Sequence, residues 1–330
     1  KFLFLFLFFS FFFIKKSVSN EPIIVYSARS DQLIKPILDK FTEKTGIKIN
    51  LFTTKANALL ARLDNEGSNT SADLIITNDA GNLWLMKKKN LLLRISSKKL
   101  EKNIPSHLRD PNNFWFGLSV RARTIFYNRN KVNVSELSTY EDLGSEKWNR
   151  KLCLRTSKKI YNQSLIAMMI YELGEEKTEK IIKGWVKNLA TNVFPSDTKV
   201  LKAIASGECH VGIANSYYLG RLISKDPKFP VDLFWANQKE NGVHVNISGG
   251  AISKFTKNKN NTVKLIEYLS SDEAQKFYAN EDFEYPVNLN VNVNSIIEKW
   301  GLFKQNPINV SKAGELQVKA IKLMDRAKYK

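Results

Sequence analysis

Residues 22–77 read PIIVYSARSDQLIKPILDKFTEKTGIKINLFTTKANALLARLDNEGSNTSADLIIT. Residues 22–26 form a compact β-rich run and read as a first strand. Residues 31–44 carry Leu33, Ile34, Ile37, Leu38 and Phe41 at helical spacing, and Gly46 stands where a helix stops. Residues 48–52 read as a second strand, 56–65 as a helix, 72–77 as a third strand and 79–88 as the next helix. Alternation of this kind predicts an α/β protein, with a parallel sheet and crossover helices.

Residues 114–128, FWFGLSVRARTIFYN, break that rhythm. They are a long β-rich stretch with Arg121 and Arg123 set into it, and read as a chain crossing from one lobe to another. A second α/β set follows: strand 151–156, helices 162–172, 175–189 and 197–206, strand 209–214, and a helix over 216–224. Residues 243–252, containing Gly249 and Gly250, read as a crossing back. Helices 261–269 and 272–280 then rejoin the first lobe. A last helix, 310–328, is expected to be amphipathic through Leu316, Val318, Ile321 and Leu323. Residues 20–330 also exceed one comfortable hydrophobic core, which calls for two lobes. The expected division is 20–119 with 244–294, and 120–243 with 295–330. Each lobe should hold a mixed, mostly parallel sheet flanked by helices, the two joined by two β-strand hinge crossings.

Composition narrows the partners. An apolar content of 43% with 11% aromatic residues suits a folded, soluble body. The net charge of +19 invites a nucleic-acid reading. The lysines are scattered, however, with short runs only at 87–89 and in the last helix, so no nucleic-acid partner is expected. Lys1 leads an apolar run, FLFLFLFFSFFFI, at 2–14. The run is shorter than the about 20 residues of a membrane span and fits the core of a secretory signal. Ser17 and Ser19 suit a cleavage site. Residues 1–19 are therefore read as a signal peptide, truncated at its start since no Met opens it. An uncleaved anchor is the alternative, and either way the body is exported.

Three tyrosines carry the chemistry. Tyr161 lies in IYNQSL, and Tyr217 and Tyr218 stand side by side after the strand VGIAN. A phenol ionises only near pH ~10 in water, so adjacent phenols need a strong cation to become phenolates. Fe(III) is small and hard, and three phenolates would cancel its charge. Tyr217 and Tyr218 follow Asn215 and Ser216, good helix-capping residues, which places them in a first turn where the dipole favours anions. Tyr161 would come from a facing loop. Taken singly, each ring reads as a half-buried tyrosine with a satisfied hydroxyl. The set reads as a metal site. Cys153 and Cys209 open the two short apolar runs that lead to these tyrosines. If the runs are neighbouring strands, a disulfide would tie both loops together; two buried free thiols are the other reading. His107, His210 and His244 show no zinc-like spacing.

At this point the chain resembles the periplasmic substrate-binding proteins of ABC importers, type II topology, of the ferric-binding (FbpA/FutA-like) family. The resemblance spans 22 to about 290. It rests on VYSARSDQLIKPILDKFTEKTGIKIN, SADLIITNDAGNL, FGLSVRARTIFYN, IYNQSL, GECHVGIANSYYLGRL and LIEYLSSDEAQKFYANEDFEYPVN. It implies Tyr161, Tyr217 and Tyr218 as ligands of ferric iron, delivery to an ABC permease in the inner membrane and a periplasmic bacterial location. A monomer is expected, and no enzymatic activity, since the chain offers no acid/base dyad, nucleophile elbow or phosphate loop. Family members often carry a His-Tyr pair just past the first strand. Ser30 and Asp31 stand there instead. Asp31 can supply a carboxylate oxygen or merely cap its helix, and the cap is the simpler reading. Water or a small anion would complete the shell. Arg121, Arg29 and Arg221 are candidates to offset phenolate charge or hold that anion, with inter-lobe ion pairs as the alternative. The competing function is a carrier for a small organic or oxyanion solute, held by Arg29 and Arg121 with the tyrosines as walls.

Overall fold

A computed structural model describes residues 21–288 and 291–330; the leader read at 1–19 lies outside them. The opening stretch forms β1 (Ile23–Ser27), α1 (Asp31–Thr45), β2 (Ile49–Thr53), α2 (Ala56–Glu66), β3 (Leu74–Thr77) and α3 (Ala80–Lys88). β1 lies between β2 and β3 and pairs with both in parallel. α1 buries Ile34, Ile37, Leu38 and Phe41, the face its spacing predicts. It ends at Gly46 with φ 72°, a left-handed turn that costs glycine least. α4 (Lys98–Asn103) has no counterpart in the sequence reading. Five of its six residues are polar, and Leu100 alone is buried.

β4 (Phe116–Asn128) is the long crossing strand. Then follow β5 (Leu152–Cys153), α5 (Ile160–Leu173), α6 (Glu175–Lys187), α7 (Asp197–Ser206), β6 (Val211–Asn215), α8 (Ser216–Ile223), β7 (Val231–Phe234) and β8 (Val245–Ile252). α9 (Lys259–Leu269), α10 (Asp272–Glu281), α11 (Ser295–Lys299), α12 (Lys312–Glu315) and α13 (Gln317–Arg326) complete the chain. The strands run in the order β2-β1-β3-β8-β4-β6-β5, with β7 beside β4.

β4 changes partner along its length. From Phe116 to Ala122 it pairs antiparallel with β8; from Arg123 onward it pairs antiparallel with β6 and, farther on, with β7. One strand therefore belongs to both halves of the sheet. Parallel pairing is kept for β1–β2, β1–β3 and β5–β6. The expected strand at 151–156 contracts to two residues, because Arg155 makes only an isolated bridge, to Phe194. A disulfide joins Cys153 to Cys209 with Cα atoms 5.8 Å apart.

The last expected helix is two. α12 and α13 meet at Leu316, and the buried face of α13 is Ala320, Leu323 and Met324, while Val318 and Ile321 are exposed. The residues 316, 318, 321 and 323 do not follow helical periodicity; 320, 323, 324 and 327 do. Gly314 lies so close to Trp84 of α3 that a Cβ there would sit 2.6 Å from the Trp84 Cβ. No helix among the described residues is long and apolar enough to cross a membrane.

Candidate metal centre

Tyr161 occupies the first turn of α5, not a loop. The helix starts early because Asn162 donates from Nδ2 to the carbonyls of Arg155 (2.7 Å) and Thr156 (3.0 Å), folding the preceding turn under it. Tyr217 and Tyr218 lie in the first turn of α8, immediately after β6. Asn215 holds the N-cap position of α8 but makes no side-chain cap bond. Its Oδ1 instead accepts from Arg123 (3.1 Å), and its Nδ2 donates to the Tyr217 hydroxyl (3.4 Å).

Arg121 and Arg123 alternate with Ala122 on β4 and so share one face of the strand. Arg123 is buried and gathers the site's supports. It donates to Asn162 at the start of α5, to Asp197 at the start of α7 and to Asn215 at the end of β6. Both tyrosine-bearing helix starts are thereby tied to one guanidinium. A buried ion pair of this kind is costly to break, because the survivor keeps its charge without a partner.

Tyr161 lies near enough to the Tyr217–Tyr218 pair to bear on both of their hydroxyls. The Tyr217 and Tyr218 rings are 4.3 Å apart, tilted by 35°. Burial, then the neighbouring Tyr161 and Tyr218, push the Tyr217 hydroxyl well above its usual pKa, while Arg121 opposes. Burial and Tyr161 likewise push Tyr218 up. Three neighbouring phenolates would repel one another, so losing their protons together calls for a compensating cation.

Positive side chains surround the trio. Arg121 donates to the Tyr161 hydroxyl (3.3 Å) and to the Ile247 carbonyl (2.7 Å), with its guanidinium 5.2 Å from the Tyr161 ring centroid. Arg155 and Lys159 lie 5.5 and 5.1 Å from the same ring, and Arg221 lies 4.9 Å from that of Tyr217. Arg121 Nε, Arg155 Nε, Arg221 Nη2 and Ser216 Oγ are buried without a hydrogen-bond partner, while Arg155 Nη1 lies 3.5 Å from Asp197 Oδ2. The positive charge gathered around the phenols fits a site that receives negative charge. Arg155 and Lys159 were missed by the sequence reading. The signal was present: a basic run at 155–159 ahead of a helix start opposes the helix dipole and asks for a reason.

Two candidates sit elsewhere. Arg29 is buried in an ion pair with Asp282 and Glu284, and also donates to Ser248 (2.6 Å). Asp31 is exposed, as the first residue of α1, and accepts from Thr53 Oγ1 (2.5 Å); the capping position belongs to Ser30. Among the described residues no group of three or more His, Cys, Asp or Glu side chains is placed to hold a metal.

The family model described as bacterial extracellular solute-binding protein matches residues 37–305. Iron uptake protein A1 of Synechocystis sp. is 40% identical over 317 residues, covering 94% of this chain and 88% of that protein. A Trichodesmium protein (IdiA, FutA), solved with iron and citrate, superposes with a TM-score of 0.90 at 45% identity, covering 94% of this chain and all of its own. The ferric binding protein of Campylobacter jejuni superposes with a TM-score of 0.87 at 36% identity, over 93% of this chain and 100% of its own.

Proposed function

The chain belongs to the bacterial extracellular solute-binding protein family, and on that footing we propose that it binds ferric iron as the carrier of an ABC importer. Tyr161, Tyr217 and Tyr218 supply phenolate oxygens. Fe(III) supplies the charge that lets three crowded phenols ionise together, a demand Fe(II) meets less well. Reduction should therefore promote release. The observation that supports this reading is the nearness of the three phenols to one another, beside cations several of which keep a buried donor without a partner. Those donors also suit water or a small anion filling the remaining iron positions. The relatives are named for iron. An organic or oxyanion carrier is less favoured, since Arg29, which it would use, is already held by two carboxylates.

Residues 20–119 with 244–294 and residues 120–243 with 295–330 would act as lobes, with β4 and β8 as the crossings about which they close. The protein would work in the bacterial periplasm as a monomer, after a leader at 1–19 directs export, and pass its ion to a permease in the inner membrane. It binds no nucleic acid and catalyses no reaction in this role.

Ferric citrate added to metal-free protein should produce a phenolate-to-iron charge-transfer band in the visible that dithionite bleaches. The band should weaken in Tyr217→Phe and vanish when all three tyrosines become phenylalanine. Survival of the band in that triple variant would refute the assignment.

A further inference from the structure

Asp79 stands in the N-cap position of α3 and accepts from the Gly81 N–H at 2.8 Å through Oδ1. Capping needs only that oxygen, and Asn or Ser does it as well. The Asp79 carboxylate is nevertheless fully buried, a costly place for a charge. Its second oxygen accepts from Ser164 Oγ (2.9 Å) and Asn246 Nδ2 (2.9 Å). Asn246 reciprocates by accepting from the Ala80 N–H at 3.0 Å.

These partners lie on different parts of the molecule. α3 follows β3 in one half of the sheet, and α5 follows β5 in the other. Asn246 is in β8, opposite Arg121 of β4. Ser164 lies three residues after Tyr161, one turn on and on the same face of α5. Arg121, which donates to the Tyr161 hydroxyl, lies within the field of the Asp79 carboxylate. Both the helix that carries Tyr161 and the cation that meets its hydroxyl are thus set against one buried carboxylate.

We propose that Asp79 is a positioning residue whose hydrogen bond to Ser164 latches the iron-bearing helix α5 to the α3 half, so that closure and retention of the ion depend on each other. Its bearing on iron presupposes the three-phenolate site; the latch itself does not. Asp79→Asn keeps a capping oxygen for Gly81 but removes the charge and puts a donor where Ser164 and Asn246 found an acceptor. Ser164→Ala removes the link to α5 and leaves the cap of α3 untouched.

Full-length protein loaded with ferric citrate is transferred into excess EDTA, and the decay of the visible band is followed. Ser164→Ala should load with the wild-type band and lose iron roughly five to ten times faster, the factor for one buried hydrogen bond. Asp79→Asn should do the same, and the double variant should be no faster than the worse single. Ser164→Thr, which keeps the hydroxyl, should restore slow release. A purely structural role would lower the urea midpoint of the apo-protein and leave the release rate alone. That result, or rates that multiply in the double variant, would overturn the latch. Absence of any band in the wild type would defeat the ferric reading instead. The latch would then be judged by small-angle scattering of the apo-protein, where Ser164→Ala must enlarge the radius of gyration and an unchanged radius refutes it.

Discussion

Arg121 makes a single long hydrogen bond to the Tyr161 hydroxyl, at 3.3 Å, and has no other phenol partner, yet its charge reaches Tyr217 as well. An outer residue of this kind typically changes metal affinity by about 10- to 100-fold when lost. Arg121→Gln should therefore weaken ferric binding by roughly that factor, read by competition against citrate, while the visible band persists. Arg121→Lys should recover only part of the loss, because an ammonium cannot donate to Tyr161 and Ile247 from the fixed fork that the guanidinium offers. Affinity equal to wild type in Arg121→Gln would remove this residue from the site. At this scale the grouping of the three tyrosines at two helix starts was legible, since adjacent phenols after a buried strand stand out in the sequence. Arg155, Lys159 and the linking role of Arg123 were not. Their meaning depends on which helix starts lie across from them, and spacing along the chain does not carry that.

The elements that bear the tyrosines are fixed by what precedes them. β5 and β6 are neighbouring parallel strands, and the disulfide joins Cys153, the last residue of β5, to Cys209, two residues ahead of β6. It closes a loop of 56 residues, which in the chain-entropy model corresponds to about 4 kcal/mol. Cys153→Ser combined with Cys209→Ser should lower the unfolding free energy of the iron-free protein by up to that amount, measured by urea denaturation. Adding a thiol reductant should reproduce the loss in the wild type and do nothing further to the variant. Equal stability of the two proteins would mean that the strands hold their pairing without the clamp. Element identity was readable where the period was long and regular, as in α1 and α7. It failed where the decisive partner was tertiary. α12 and α13 part at Leu316, close to where Gly314 beds against Trp84, 230 residues earlier in the chain, and β7 has its pairing from β4, about 100 residues away.

For the molecule as a whole, the order of strands could not be read from the sequence. Leu74 pairs with Ile252 and Arg123 with Asn215; both strands of each pair are apolar runs, and neither run names its partner. His244 sits at this junction of the two halves. Its carbonyl accepts from the Arg123 N–H (3.0 Å), and its own N–H donates to the Tyr140 hydroxyl (3.1 Å). Burial, with Arg123 nearby, holds its imidazole down to a pKa of about 3. An unfolded chain protonates this histidine below ~6.5, whereas the folded protein keeps it neutral. The unfolded state thus binds more protons over that window, and stability falls as pH drops from 6.5 toward 3. Asp79 and Asp282 act in the opposite sense. Burial lifts both to about 6, so their contribution is present below the ordinary carboxyl pKa and is lost as pH rises through 6. The three effects overlap, and only a variant isolates the histidine. Between pH 7 and pH 4.5 the wild type should lose about 3 kcal/mol more than His244→Gln, measured from urea midpoints of the iron-free proteins. Parallel pH profiles for the two would show that His244 takes up its proton in the folded protein as readily as in water, and the buried neutral ring at the crossing would have to be given up.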